Sequence, residues 1–186
     1  MGRRRPEHGE ACVLRPARYA VRMKGERTQL SDNPTQNGVA LEPQDPASPV
    51  ARWCLAQYYG ELDRRFGGGF DPGDAAYAGD ADRLVHFVIA LRDNLPVGCG
   101  SPVWNSCEAG EIKRMWVAPE ARGAGLAKRI LRHLEDVARD VGLAALRLDT
   151  NKALAEAQAL YRQAGYAEIA RYSDNPYAHH WFGKTL

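Results

Sequence analysis

Apolar residues follow two periods along this chain, and the switches between them predict its elements. Val39-Ala40-Leu41-Glu42 is a short strand candidate. After Pro49, the residues Val50, Trp53, Cys54, Tyr58, Leu62 and Phe66 recur mostly at helical spacing, and Gly67-Gly68-Gly69 ends the run. Leu84 to Arg92 is almost continuously apolar, as in a buried strand. Asp93-Asn94 turns it into a second strand near Pro96 to Trp104, and Asn105 to Gly110 leads to a third, Glu111 to Val117. Three successive strands with short turns predict an antiparallel meander. The pattern then becomes helical over Gly125 to Val141, with apolar residues at 126, 127, 130, 131, 134, 137, 138 and 141, until Gly142 stops it. Ala144 to Leu148 reads as a strand and Leu154 to Gln163 as a helix. Tyr166 to Tyr172 and Tyr177 to Gly183 read as a final strand pair. This order predicts an α/β (mixed α+β) domain with helices packed on a mixed sheet.

Upstream of Gly38 the periodicity is missing. Residues 1–37 read as a disordered basic leader, or as the product of a start assigned upstream of Met23. One domain is expected over 38–186. Residues 1–30 carry eight Lys/Arg against three Glu, so the net charge of +2 leaves the remainder three charges negative. The globular part is therefore not a basic nucleic-acid surface. A nucleic-acid-binding arm is the weaker reading of the leader, because no aromatics are interleaved with its basic residues. No apolar run approaches the roughly 18 residues of a membrane span, and no apolar stretch of a secretory signal follows the basic start. The four cysteines, Cys12, Cys54, Cys99 and Cys107, form no C-x-x-C pair. Free thiols in a reducing cytoplasm are the expectation.

The chemistry concentrates between Glu111 and Ala127. A strand, a turn at Pro119 and a glycine-containing loop lead into the long helix. Gly123 and Gly125 permit unusual backbone angles and close approach by a ligand. The free amides of the helix start, with the helix dipole behind them, suit a phosphate or pyrophosphate. A Walker loop is excluded here because no Gly-Lys-Ser/Thr stands in this loop. A dinucleotide fingerprint fails because Lys128 stands where a third small residue is needed.

Arg122-Gly123-Ala124-Gly125-Leu126-Ala127 fits Q/R-x-x-G-x-G/A and resembles the acyl-CoA pyrophosphate loop of the GNAT acetyltransferase superfamily. Ala159-Leu160-Tyr161-Arg162-Gln163-Ala164-Gly165-Tyr166 resembles the family's Leu-Tyr-x-x-x-Gly-Phe helix end, with Tyr166 replacing the Phe. The resemblance spans about Val39 to Leu186. It implies a mostly antiparallel central sheet with helices on both faces and a splay between two central strands. It also implies acetyl-CoA as cosubstrate, no metal, an amine acceptor (small amine or protein lysine) and, commonly, a homodimer. Amides around Arg122, Gly123, Ala124, Gly125, Leu126 and Ala127 would bind the pyrophosphate. Backbone groups of Met115, Trp116 and Val117 would line the pantetheine and hold the thioester carbonyl. Asn151 would contact the pantetheine or cap the next helix.

The implied reaction is direct acetyl transfer in a ternary complex. A lysine-like amine with a pKa near 10.4 is almost wholly protonated at pH 7, a deficit of roughly 4.6 kcal/mol that a base can offset. By the resemblance Glu111 is that base, and Tyr161 is the acid that protonates the leaving thiolate. Each also has a plain structural role, as a strand-end carboxylate and a half-buried core tyrosine. A non-catalytic acyl-CoA-binding module would need neither. His179 and His180 point to opposite faces of a strand and do not share a metal ion. His86 reads as a satisfied core residue, and Cys99 and Cys107 lack a neighbouring base. Trp53, Tyr58 and Tyr59 pack the first helix or form an aromatic cage for a cationic acceptor. The acids of Gln57 to Asp82, on the expected acceptor side, are interspersed with Arg64 and Arg65.

Overall fold

A computed structural model describes residues 38–73, 86–104 and 108–186; the expected leader over 1–37 lies outside them, as does Cys107. The described elements are, in order, β1 (Val39–Gln44), α1 (Pro49–Arg65), β2 (Phe87–Arg92), β3 (Leu95–Val103), β4 (Gly110–Val117), α2 (Leu126–Asp140), β5 (Ala145–Thr150), α3 (Ala155–Gln163), β6 (Ala167–Glu168) and β7 (His180–Thr185). Among the described residues one seven-stranded sheet runs β1-β2-β3-β4-β5-β7-β6. Its pairings are antiparallel except β4 with β5. The expected architecture is therefore present.

Local sequence explains the helices. Ser48 caps α1 by accepting the Ala51 amide, and Pro49 occupies the first turn, where no amide partner is needed. The helix buries Ala51, Cys54, Leu55 and Leu62, whereas Trp53 stays 45% exposed and meets only the edge of Trp116. In α2 the predicted stripe is the buried one: Leu126, Ile130, Leu131, Leu134, Val137 and Ala138. Ile130 lies over Gly98 and Gly100 of β3, while Cys54 of α1 meets the intervening Cys99. Since neighbouring strand residues point oppositely, α1 and α2 cover opposite faces.

Several boundaries differ from expectation. The strand read as Ala144 to Leu148 runs on to Thr150, which brings Asp149 into the sheet. The strand read over Tyr166 to Tyr172 shrinks to Ala167–Glu168, and its partner starts at His180 rather than Tyr177. The residues between are held by side chains instead of a ladder: Ser173 and Asn175 both donate to Asp149, and Asn175 accepts the Tyr177 amide. His180 pairs with Glu168 across the short ladder, while His179 turns to the Tyr177 carbonyl, so the two imidazoles do not converge.

His86 is buried, with its Nε2 3.1 Å from that of His133 on α2. Burial, with His133 beside it, pushes its pKa down to about 3. The unfolded chain takes that proton near pH 6.5. The site's contribution to stability is thus complete above about pH 6.5 and is lost as pH falls toward 3. In urea unfolding between pH 6.5 and 4, His86→Asn is expected to lose less stability than the parent chain. Equal losses would contradict a buried neutral imidazole.

Candidate active site

The β4–β5 ladder is short: only Gly110 with Leu146 and Glu111 with Arg147 pair. Gly110 permits the approach, since a Cβ there would stand 2.7 Å from Leu143 Cδ1. Beyond Glu111 a bulge bends β4, where Arg114 and Met115 oppose the single Gly100 of β3 and Arg114 takes φ 57°. The facing edges of β4 and β5 then run unpaired, and their peptide groups require other partners. A cleft of about 400 Å3 opens at this divergence.

Met115, Asn151 and Tyr161 line the cleft together. Tyr161 is buried, and desolvation followed by the charge of Asp149 pushes its hydroxyl above the ordinary phenol range. It is a protonated donor at neutral pH. Asn151 is engaged on both sides, donating to the Tyr177 carbonyl at 2.7 Å and accepting the Ala153 amide at 2.9 Å. It therefore fixes the turn before α3, whose N-cap is Leu154. Glu111 is not part of the lining. It sits at the closed end, accepting from Tyr172 at 2.9 Å and pairing with Lys113 at 3.1 Å. Lys113 and Ile112 do line the cleft, which leaves Glu111 one residue from it.

The loop of Arg122 to Ala127 lies at the exit of β4. Gly125 caps α2 with φ 76° and no side-chain bond, Gly123 has φ 81°, and a Cβ on either would meet nothing within 4 Å. Space is open in front of the first-turn amides of Leu126 and Ala127, which have no intrahelical acceptor. Arg122 faces away, donating to the Val117 carbonyl at 3.0 Å and to Glu61 at 2.6 Å. The Trp116 indole shares that carboxylate at 3.0 Å. Arg65 pairs with Glu61 and reaches across to Glu156 and the Ala153 carbonyl. Glu61 thus holds the loop to α1, and Arg65 holds α1 to α3. This arrangement fits acetyl-CoA, with open amides for its pyrophosphate and unpaired strand edges for its amide-bearing arm.

Sequence reasoning passed over Asp149, Phe70 and Tyr177, all in the lining, whereas Asp71, one of the acids on the expected acceptor side, lines the cleft with them. Only the alternation of Leu146, Leu148 and Thr150, extended two residues further, marked Asp149 as a strand residue facing the other way. Tyr58 and Tyr59 line the cleft as well, whereas Trp53 does not. Cys99 is fully buried, and its thiol is pushed up by the bond with Cys54 and by burial, which is unfavourable for a nucleophile. Among the described residues no cluster of three or more His, Cys, Asp or Glu is placed to hold a metal ion. No described helix is long and apolar enough to cross a membrane.

A sheet splayed at one parallel pair, a glycine loop leading into a helix after the first of those strands and a tyrosine lining the opening are the features of an acyltransferase of the GNAT type. The model of the acetyltransferase (GNAT) family matches residues 53–166, and the chain belongs to that family. It is 38% identical to an IAA acetyltransferase of Azospirillum brasilense over 120 residues, 62% of this chain and 78% of that protein. A GNAT acetyltransferase from Staphylococcus aureus Mu50 shares the fold at TM-score 0.68 and 15% identity, covering 80% of this chain and 99% of that one. A GNAT acetyltransferase from Elizabethkingia anophelis with acetyl-CoA bound aligns at TM-score 0.63 and 14% identity, over 81% of this chain and all (100%) of that one.

Removing the Asn151 side chain is expected to free the turn before α3. Asn151→Ala should cost about 1–3 kcal/mol in urea unfolding, since it strands a carbonyl and an amide that are now bonded. A change under about 0.5 kcal/mol would contradict this role.

Proposed function

We propose that this chain transfers an acetyl group from acetyl-CoA directly to a primary amine. The observation that carries the reading is the cleft at the β4–β5 divergence with the Tyr161 hydroxyl inside it. Amides from Gly123 to Ala127 hold the pyrophosphate, while the Arg122 guanidinium, tied to Glu61, keeps the loop in place. Backbone groups of Met115, which lines the cleft, and of Trp116 and Val117 beyond it hold the pantetheine and the thioester carbonyl. Asn151, lining the same passage, packs against the pantetheine.

The acceptor arrives as an ammonium and must lose a proton before attack. Glu111 takes it through one water, which suits its position one residue behind the lining. The amine nitrogen bonds to the acetyl carbon as the carbon–sulfur bond breaks. Tyr161 gives its proton to the departing sulfur and is reprotonated from solvent. The buried Cys99 takes no part, so no acyl-enzyme forms.

The test is steady-state kinetics with a panel of primary amines, paired with acetyl-CoA titration calorimetry. Tyr161→Phe and Glu111→Gln are each expected to lower kcat at least about 100-fold while acetyl-CoA affinity stays within about threefold. Variants retaining near-parental kcat would overturn these roles.

A further inference from the structure

The acceptor half of the cleft is walled by rings. Phe70 lies 4.7 Å from Tyr177, 5.7 Å from Phe66 and 5.8 Å from Tyr59, centroid to centroid, and Phe66 lies 5.9 Å from Tyr177. All four line the cleft, yet they come from two distant stretches, the end of α1 with its following turn and the segment before β7. Backbone ties hold them there: Asp63 accepts the Phe70 amide at 3.0 Å, and the Tyr177 hydroxyl accepts the Asp71 amide at 3.0 Å. The wall is therefore built rather than incidental.

The same cleft holds a carboxylate fixed by two neutral side chains. Lys113 is engaged by Glu111 at 3.1 Å, Arg114 donates through Nε to the Tyr59 hydroxyl at 3.1 Å, and Asp71 accepts the Gly73 amide at 2.9 Å. Asp149 is held only by neutral donors, Ser173 Oγ at 2.8 Å and Asn175 Nδ2 at 2.9 Å. Among the described residues it has no ion pair. Its charge bears on the cleft, since it helps keep the Tyr58 and Tyr161 hydroxyls protonated. A carboxylate oriented by neutral groups in a half-closed site is a site for a cation, and aromatic faces beside it favour the same charge.

We propose that the acceptor is an amine carried on an aromatic or similarly flat apolar body without a carboxylate of its own. Its ammonium faces Asp149 and its body lies on the wall around Phe70 and Tyr177. A peptide lysine presents its amine on a flexible methylene stem and leaves that wall without a flat partner. An amino acid brings a carboxylate toward Asp149. This inference rests on the acetyltransferase reading and adds the acceptor class to it.

The test compares phenylethylamine, phenylalanine and butylamine at saturating acetyl-CoA. Phenylethylamine is expected to exceed each of the others at least about tenfold in kcat/KM. Asp149→Asn should raise its KM about tenfold and narrow its advantage over phenylalanine. Phe70→Leu should narrow the advantage over butylamine. Equal or better use of phenylalanine or butylamine, or ratios that neither Asp149→Asn nor Phe70→Leu moves, would overturn the acceptor class alone. Transfer to none of the three by protein that binds acetyl-CoA in calorimetry would do the same. Failure to bind acetyl-CoA would instead overturn the acetyltransferase reading, and this inference with it.

Discussion

The candidate site depends on one interrupted interaction, the parallel pairing of β4 with β5. Two residue pairs hold the strands together, and then the ladder stops. A buried sheet ordinarily satisfies its peptide groups within itself. Here a left-handed residue at Arg114 diverts β4, so two strand edges in the middle of the sheet stay open. Residues at positive φ without glycine are costly and persist where the surroundings enforce them. The surroundings here are explicit: Arg114 donates to Tyr59 on α1, and its carbonyl accepts from Cys99.

Having opened the sheet, the fold must keep its two lips in register. Charged groups on α1 do this. Glu61 gathers Trp116 from β4 and Arg122 from the following loop, while Arg65 extends from the same helix turn to Glu156 at the start of α3. The helix α1 is thereby tied to the loop that precedes α2. Glu61 and Arg65 stand one turn apart on α1, so a single helical segment sets the width of the opening.

The parts legible in the sequence are those where local chemistry decides structure. The stripe of α2, the glycines before it and the start of β4 each carry their signal within a few residues, and the structure puts them where the pattern placed them. Tyr161 was reached through the resemblance of the α3 end to the family's Leu-Tyr-x-x-x-Gly-Phe pattern, and it lines the cleft. The aromatic wall of the cleft was not legible. Phe70 and Tyr177 are more than one hundred residues apart, and only the folded chain brings their rings to 4.7 Å. The stretch from Tyr166 to Tyr172 misled because its aromatics pack on other elements: Tyr166 is buried in the core, and Tyr172 lies under Arg147 rather than continuing a ladder. Glu111 was placed at the right strand position, but its bonds to Lys113 and Tyr172 depend on neighbours beyond the reach of spacing.

The central claim, that the open strand edges and the loop before α2 receive acetyl-CoA, is tested most directly by thermal unfolding with and without that compound. The parent chain should be compared with Ala124→Glu, which adds a negative charge to an exposed loop residue without altering a glycine. At about one hundred times Kd, binding adds about 2.7 kcal/mol, a rise of roughly 5–10 °C for a chain of this size. The account predicts that rise in the parent and its loss in Ala124→Glu, with the unliganded Tm values alike. No rise at millimolar acetyl-CoA, or an equal rise in both proteins, would contradict it.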